Sequence, residues 1–140
     1  MNNKIKFATL IFFLSLFSSF AQQADDLIGK YRLPNDLDIK IYRNNDKYFG
    51  KIIALNEYEN GVTKDYKNPD ASKHNDLLLG KVIIKNLEFD TENKEWINGN
   101  MYGPEKGMIF NLKITEIGEK EIEVVGSKYF FWHTVKWKKL

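Results

Sequence analysis

Asp65, Asn68, Pro69 and Asp70 sit together in one polar stretch of the chain. Two carboxylates so close offer hydrogen-bond acceptors or oxygen ligands for a hard cation. As an acid–base pair they would need one strongly raised pKa, and nothing in the surrounding sequence supplies it. A structural role is at least as natural. Asn and Asp side chains bond nearby backbone N–H groups and hold a loop in shape. Pro69 also biases Asn68 toward extended backbone. The leading expectation is a self-capped loop, with a polar site as the alternative.

His74 and His133 are the two histidines. Asp70, His74 and Asp76 match no recognised metal-binding loop, so neither a metal nor a cofactor is expected. No nucleophile elbow, P-loop or dinucleotide fingerprint occurs. Ser72 and Ser127 lie in no triad motif, and no catalytic residue is assigned. Asp65 or Asp70 with His133 would serve the weakest reading, a hydrolytic enzyme.

The aromatic residues form the other constellation. Trp96, Tyr102, Tyr129 and Phe131, with His133 among them, suit an aromatic pocket with a polar group to orient a small ligand. Phe110 and Trp137 are expected to fill the core. Aromatics make up 14% of the chain, which helps a core without disulfides.

The elements that must carry these residues are strands. Leu37, Ile39 and Ile41 alternate with Asp38, Lys40 and Tyr42; Met108, Phe110, Leu112 and Ile114 repeat that period of two. Runs over 27–33, 37–43, 47–55, 81–89, 94–102, 107–116, 120–126 and 129–138 read as about eight short strands separated by turn residues. The stretch 56–79 is polar and long, with a helical turn or two expected over 71–78. Loops of that length are often functional or mobile. The pattern predicts an all-β fold: a small antiparallel up-and-down barrel, with one long loop after the third strand. Polar outward faces and short strands argue against an outer-membrane barrel.

The first 21 residues read as a cleavable signal peptide. Lys4 and Lys6 precede a short apolar run, and Ser19-Phe20-Ala21 forms the cleavage site. Residues 22–140 are then expected to form a single domain, exported to the periplasm or secreted. Loss of Lys4 and Lys6 takes Lys+Arg from 21 to 19, equal to Asp+Glu at 19. A neutral chain is a poor nucleic-acid binder, and its net charge does not steer it to anionic membranes. It contains no cysteine, which excludes a lipoprotein anchor, thiolate metal sites and cysteine nucleophiles.

Several segments resemble the exported bacterial family known as domain of unknown function 2147. Lys64-Asp65-Tyr66-Lys67-Asn68-Pro69-Asp70 is similar to its Asp-x-x-Asn-Pro-Asp signature. Trp96-Ile97-Asn98-Gly99-Asn100-Met101-Tyr102-Gly103-Pro104, with Gly107, is similar to its Trp-x-x-Gly-x-x-Tyr-x-Pro segment. Gly29-Lys30-Tyr31, Leu79-Gly80-Lys81, Val125-Gly126 and Trp137-Lys138 extend the resemblance from Ile28 to Lys138. Two departures mark a divergent member. Tyr31 stands where Trp is usual, and 129–134 lacks the glycine that normally precedes Arg-Thr. The resemblance implies a lipocalin-like barrel and leaves function open.

The expected function is binding of a small, partly apolar ligand inside the barrel of a soluble monomer. The alternative is an envelope protein-interaction module with a filled core, using the long loop or an exposed strand edge.

Overall fold

A computed structural model describes residues 22–140. The signal peptide expected over 1–21 lies outside the described residues. Eight strands follow one another: β1 (Gly29–Arg32), β2 (Asp38–Asn44), β3 (Lys47–Ala54), β4 (Val82–Asp90), β5 (Glu95–Gly103), β6 (Met108–Ile117), β7 (Glu121–Lys128) and β8 (Phe131–Lys139). Each pairs antiparallel with its sequence neighbours, and β8 returns to β1 to close the barrel. The fold is thus the expected up-and-down barrel. Among the described residues no helix is long and apolar enough to cross a membrane.

Period-two patterning sets which side chains enter the interior. Ile39, Ile41, Ile52, Ile84, Leu87 and Trp96 have no exposed surface. Gly99 makes room for this packing, since a Cβ there would lie 2.5 Å from Leu87 Cδ2. The half of the barrel built by β2–β5 is therefore filled.

The N-terminal end of the described chain closes the bottom. Sequence alternation predicts a first strand from Leu27. Instead Ala24–Leu27 forms a 3-10 helix, and Leu27 is fully buried beneath the barrel. Trp96 Nε1 donates to the Ala24 carbonyl at 2.9 Å, and the Tyr31 hydroxyl donates to the Leu27 carbonyl at 2.7 Å. Gln22 Nε2 donates to the Lys94 carbonyl at 2.6 Å, while its Oε1 accepts from Ile117 N–H. These bonds satisfy backbone groups that strand ends would otherwise leave unpaired.

At the opposite end lie the β1–β2, β5–β6 and β7–β8 turns and the long β3–β4 connection. That connection is structured. Lys64 bridges to Leu77, Leu78 is fully buried, and Ala71–Lys73 forms one 3-10 turn. A tight turn at Tyr58–Gly61 contains left-handed Glu59 and Asn60. The chirality of L-residues confines such a turn to a few residues.

The seam between β8 and β1 is short. Only Tyr31–Lys139 and Arg32–Lys138 pair across it. The rest of β8 has no partner strand on that side among the described residues. Its first residue is Phe131, whereas alternation predicts a strand from Tyr129. Tyr129 instead occupies the β7–β8 turn with φ +55°.

Candidate functional site

A cavity of about 380 Å³ opens at the upper end, where the β8–β1 seam is incomplete. Its floor and walls are inward-facing residues of the last four strands. Met101 comes from β5, Phe110 and Leu112 from β6, Val124 and Gly126 from β7, and Val135 and Trp137 from β8. Leu33 and Pro34 of the β1–β2 turn face them across the gap, and Phe131, Trp132 and His133 form part of the rim. The deepest of these residues, Leu112, Val124 and Trp137, are almost wholly buried. Gly126 widens the space; a Cβ there would lie 3.2 Å from Phe110 Cδ2. The size falls within the range of small-molecule pockets, and the lining is apolar with a few polar groups at the rim.

The residues assigned to ligand contact from sequence divide. Phe131 and His133 line the cavity. Trp96 does not, because its strand position places it in the filled half, 5.0 Å from the Phe89 ring between centroids. Tyr129 does not either, since the turn carries it past the rim, where it is 87% exposed. Tyr102 belongs to a separate polar cluster. Phe110 and Trp137, expected as core filling, line the cavity. The period-two phase of β6 and β8 already put both on the inner face. What the sequence could not show is that the interior here is not filled.

The polar cluster joins the long loop to β5. Asp65 is buried, and it accepts from the Tyr102 hydroxyl at 2.6 Å and from Asn68 Nδ2 at 2.8 Å. Lys81 Nζ stands 3.1 Å from its second oxygen and 5.7 Å from the Tyr102 ring centroid. Burial pushes the Asp65 carboxyl up, but the hydrogen bonds from Tyr102, Asn68 and Lys81 outweigh it and hold the pKa below the usual carboxylate value. Burial, followed by the bond to Asp65, pushes the Tyr102 phenol well up. Asp65 is thus held ionised and Tyr102 protonated, the reverse of an acid–base pair poised near neutrality.

The remaining loop residues cap one another. Asn68 Oδ1 accepts from Asp70 N–H at 2.9 Å, and Asp70 Oδ1 accepts from Ser72 N–H and its hydroxyl. His74 Nε2 lies 2.7 Å from the Asn68 carbonyl oxygen. Asp76 lies 3.9 Å from Lys81 Nζ. Asp70, His74 and Asp76 thus have three different sets of partners. The hydrogen bonds of Asp65 and Asp70 do not include His133.

The loop also meets the β5–β6 turn. Lys67 Nζ donates to the Glu105 carbonyl at 2.9 Å. Gly107 (φ +60°) packs so closely that a Cβ would lie 1.9 Å from the Lys67 carbonyl oxygen. Asp65, Lys67, Tyr102 and Gly107 therefore belong to one interlock, which roofs the filled half and leaves the cavity open beside it.

This architecture is a lipocalin-like barrel with an apolar cavity at one end. The chain belongs to the family described as an uncharacterized protein conserved in bacteria, domain of unknown function 2147, which matches residues 29–139. It is similar in structure to a Helicobacter pylori protein described as belonging to the lipocalin family. The TM-score is 0.69 at 19% identity, covering 81% of this chain and 82% of that one. No curated protein matches the sequence.

Proposed function

We propose that this protein is exported and holds a small, largely apolar molecule in the cavity bounded by β5–β8. The observation that carries the reading is the cavity of about 380 Å³, lined by Leu112, Val124, Val135 and Trp137. Burial of apolar ligand surface there contributes roughly 25 cal/mol per Å² before the costs of association. The polar rim, with His133, Glu105 and Lys106, suits a molecule with one polar end. The open cavity supports this reading over the interaction-module alternative, which takes the barrel core as filled.

Titration with an anilinonaphthalene sulfonate probe, followed by competition with fatty acids and other amphiphiles, tests the reading. Saturable binding is expected, with energy transfer from Trp137 and Trp132. A Trp96→Phe variant should retain the Trp-dependent signal. Absence of saturable binding across the panel would overturn the proposal. Export is tested separately by intact mass: the processed chain is expected to begin at Gln22.

A further inference from the structure

We infer that the tip of the β7–β8 hairpin docks on the surface of a lipid bilayer. Tyr129, Phe130, Phe131 and Trp132 follow one another at this tip, and their exposures are 87, 90, 80 and 76%. Four consecutive aromatic residues so exposed are costly in water, because each carries a large apolar surface. No fold requirement explains them: Tyr129 and Phe130 form the turn, and the first part of β8 has no partner strand toward β1.

Their arrangement selects the partner. Phe131 and Trp132 alternate faces of a two-stranded ribbon, while Tyr129 and Phe130 occupy its end. Taking about 200 Å² per aromatic residue, the tip presents roughly 650 Å² of surface, wrapped around all sides. A rigid protein face, including a second copy of this chain, reaches only part of that. Even the whole falls short of the roughly 800 Å² per partner of a standard stable interface. A fluid apolar phase covers every ring at once. Trp and Tyr, with an apolar body and a polar edge, favour the headgroup boundary.

The charges beside the tip agree. Lys128 Nζ donates to the Ile109 carbonyl at 2.9 Å and lies 5.6 Å from the Tyr129 ring centroid. It is thereby fixed at headgroup height when the rings enter. Lys106 adds a second cation on the neighbouring turn, against Glu105 as the one acid there. Ile109, 59% exposed, continues the apolar ridge onto β6. The unpaired edge of β8 limits the depth, because backbone N–H and C=O groups without partners do not enter hydrocarbon. Docking in this pose turns the rim residues Phe131, Trp132 and His133 toward the bilayer. The docking does not rest on the ligand-binding reading.

Vesicles of phosphatidylcholine with a minor share of phosphatidylglycerol provide the test, with residues 22–140 as the protein. Co-sedimentation is expected. The emission of Trp132 should shift to the blue and be quenched by lipid carrying a spin label near the headgroup, since Trp96 and Trp137 are buried. A Tyr129→Ser/Phe130→Ser variant, at turn residues outside the cavity lining, should keep its far-ultraviolet dichroism and its binding of the anilinonaphthalene probe, yet lose about tenfold or more of its vesicle partitioning. Equal partitioning of variant and parent would overturn the proposal, as would failure of the parent to bind vesicles. Sedimentation equilibrium without lipid covers the other occupant. A parent dimer that the variant converts to monomer would assign the rings to a second copy instead. Vesicle binding without probe binding would leave the docking standing and remove the ligand proposal.

Discussion

The Tyr102 hydroxyl donates to a buried carboxylate oxygen of Asp65 at 2.6 Å, tying the middle of the β3–β4 connection to β5. Asp65 also receives Asn68 and Lys81. Removing one partner of a buried ionic network leaves the other uncompensated. Asp65→Asn is expected to cost about 3 kcal/mol of stability, and Tyr102→Phe about 1–2 kcal/mol. Chemical denaturation of both single variants and the double variant checks this. The two effects should be strongly non-additive, as for groups in one network.

The same carboxyl sets an acid limit. Its folded-state pKa lies below the ordinary value despite burial, because of its hydrogen bonds. Asp38 is lowered too, first by the Arg32 guanidinium that binds it at 2.8 and 2.9 Å. A depressed carboxyl stabilises the fold above its unfolded pKa, about 3.9, and that contribution is lost as pH falls through the folded value. Melting temperature should therefore drop steeply below about pH 4 in the parent, and less steeply in Asp65→Asn.

The alkaline limit has the opposite sign. Burial, then the Asp26 charge, pushes the Tyr31 phenol up to about 12. Burial, then the hydrogen bond to Asp25, does the same for Tyr48, also to about 12. A raised phenol stabilises the fold fully below its unfolded pKa of about 10, and this is lost as pH rises toward the folded value. Tyrosinate absorbance for these two residues should appear together with unfolding, in a single cooperative step between about pH 10 and 12. Gradual ionisation of both with unchanged far-ultraviolet dichroism would contradict it.

Gly107 gives a sharper structural test. Its positive φ and the adjacent Lys67 carbonyl leave no space for a side chain. Gly107→Ala must move either the β5–β6 turn or the long loop. A cost of about 2–3 kcal/mol is expected, more than the roughly 1 kcal/mol of left-handed strain alone. Hydrogen exchange should rise over 64–68 and stay unchanged in β2 and β3.

The barrel was legible because alternation in β2 and β6–β8 and the turn residues between strands are local signals. Asp70 and Asn68 as self-capping residues were legible for the same reason. What was not legible depends on distant partners. Leu27 reads as strand-forming, yet three-dimensional closure uses it as a plug beneath Trp96. Trp96, Tyr102 and Tyr129 all read as pocket aromatics. One lies in the filled half of the barrel, one is claimed by Asp65, and one is carried outward by a left-handed turn. The incomplete β8–β1 seam, which opens the cavity, depends on β1 ending at Arg32, so that only the last residues of β8 meet it. No periodicity within β8 reports that.

The cavity itself can be filled by mutation without touching the polar interlock. Val135 lines it, is only partly buried, and pairs with Val124 on β7. Val135→Trp would place an indole in the open space rather than in packed core. The overpacking cost of about 1–3 kcal/mol for a full core should therefore be mostly avoided. Stability is expected to stay within about 1 kcal/mol of the parent, while probe affinity falls about tenfold or more, which corresponds to about 1.4 kcal/mol. Isothermal titration with the anilinonaphthalene probe, beside a thermal melt, measures both. An equal substitution in the filled half, Ile52→Trp, should do the reverse and destabilise strongly, because Ile52 has no exposed surface. If Val135→Trp leaves probe binding intact, the probe is held outside the barrel and the cavity between β5 and β8 is not the ligand site.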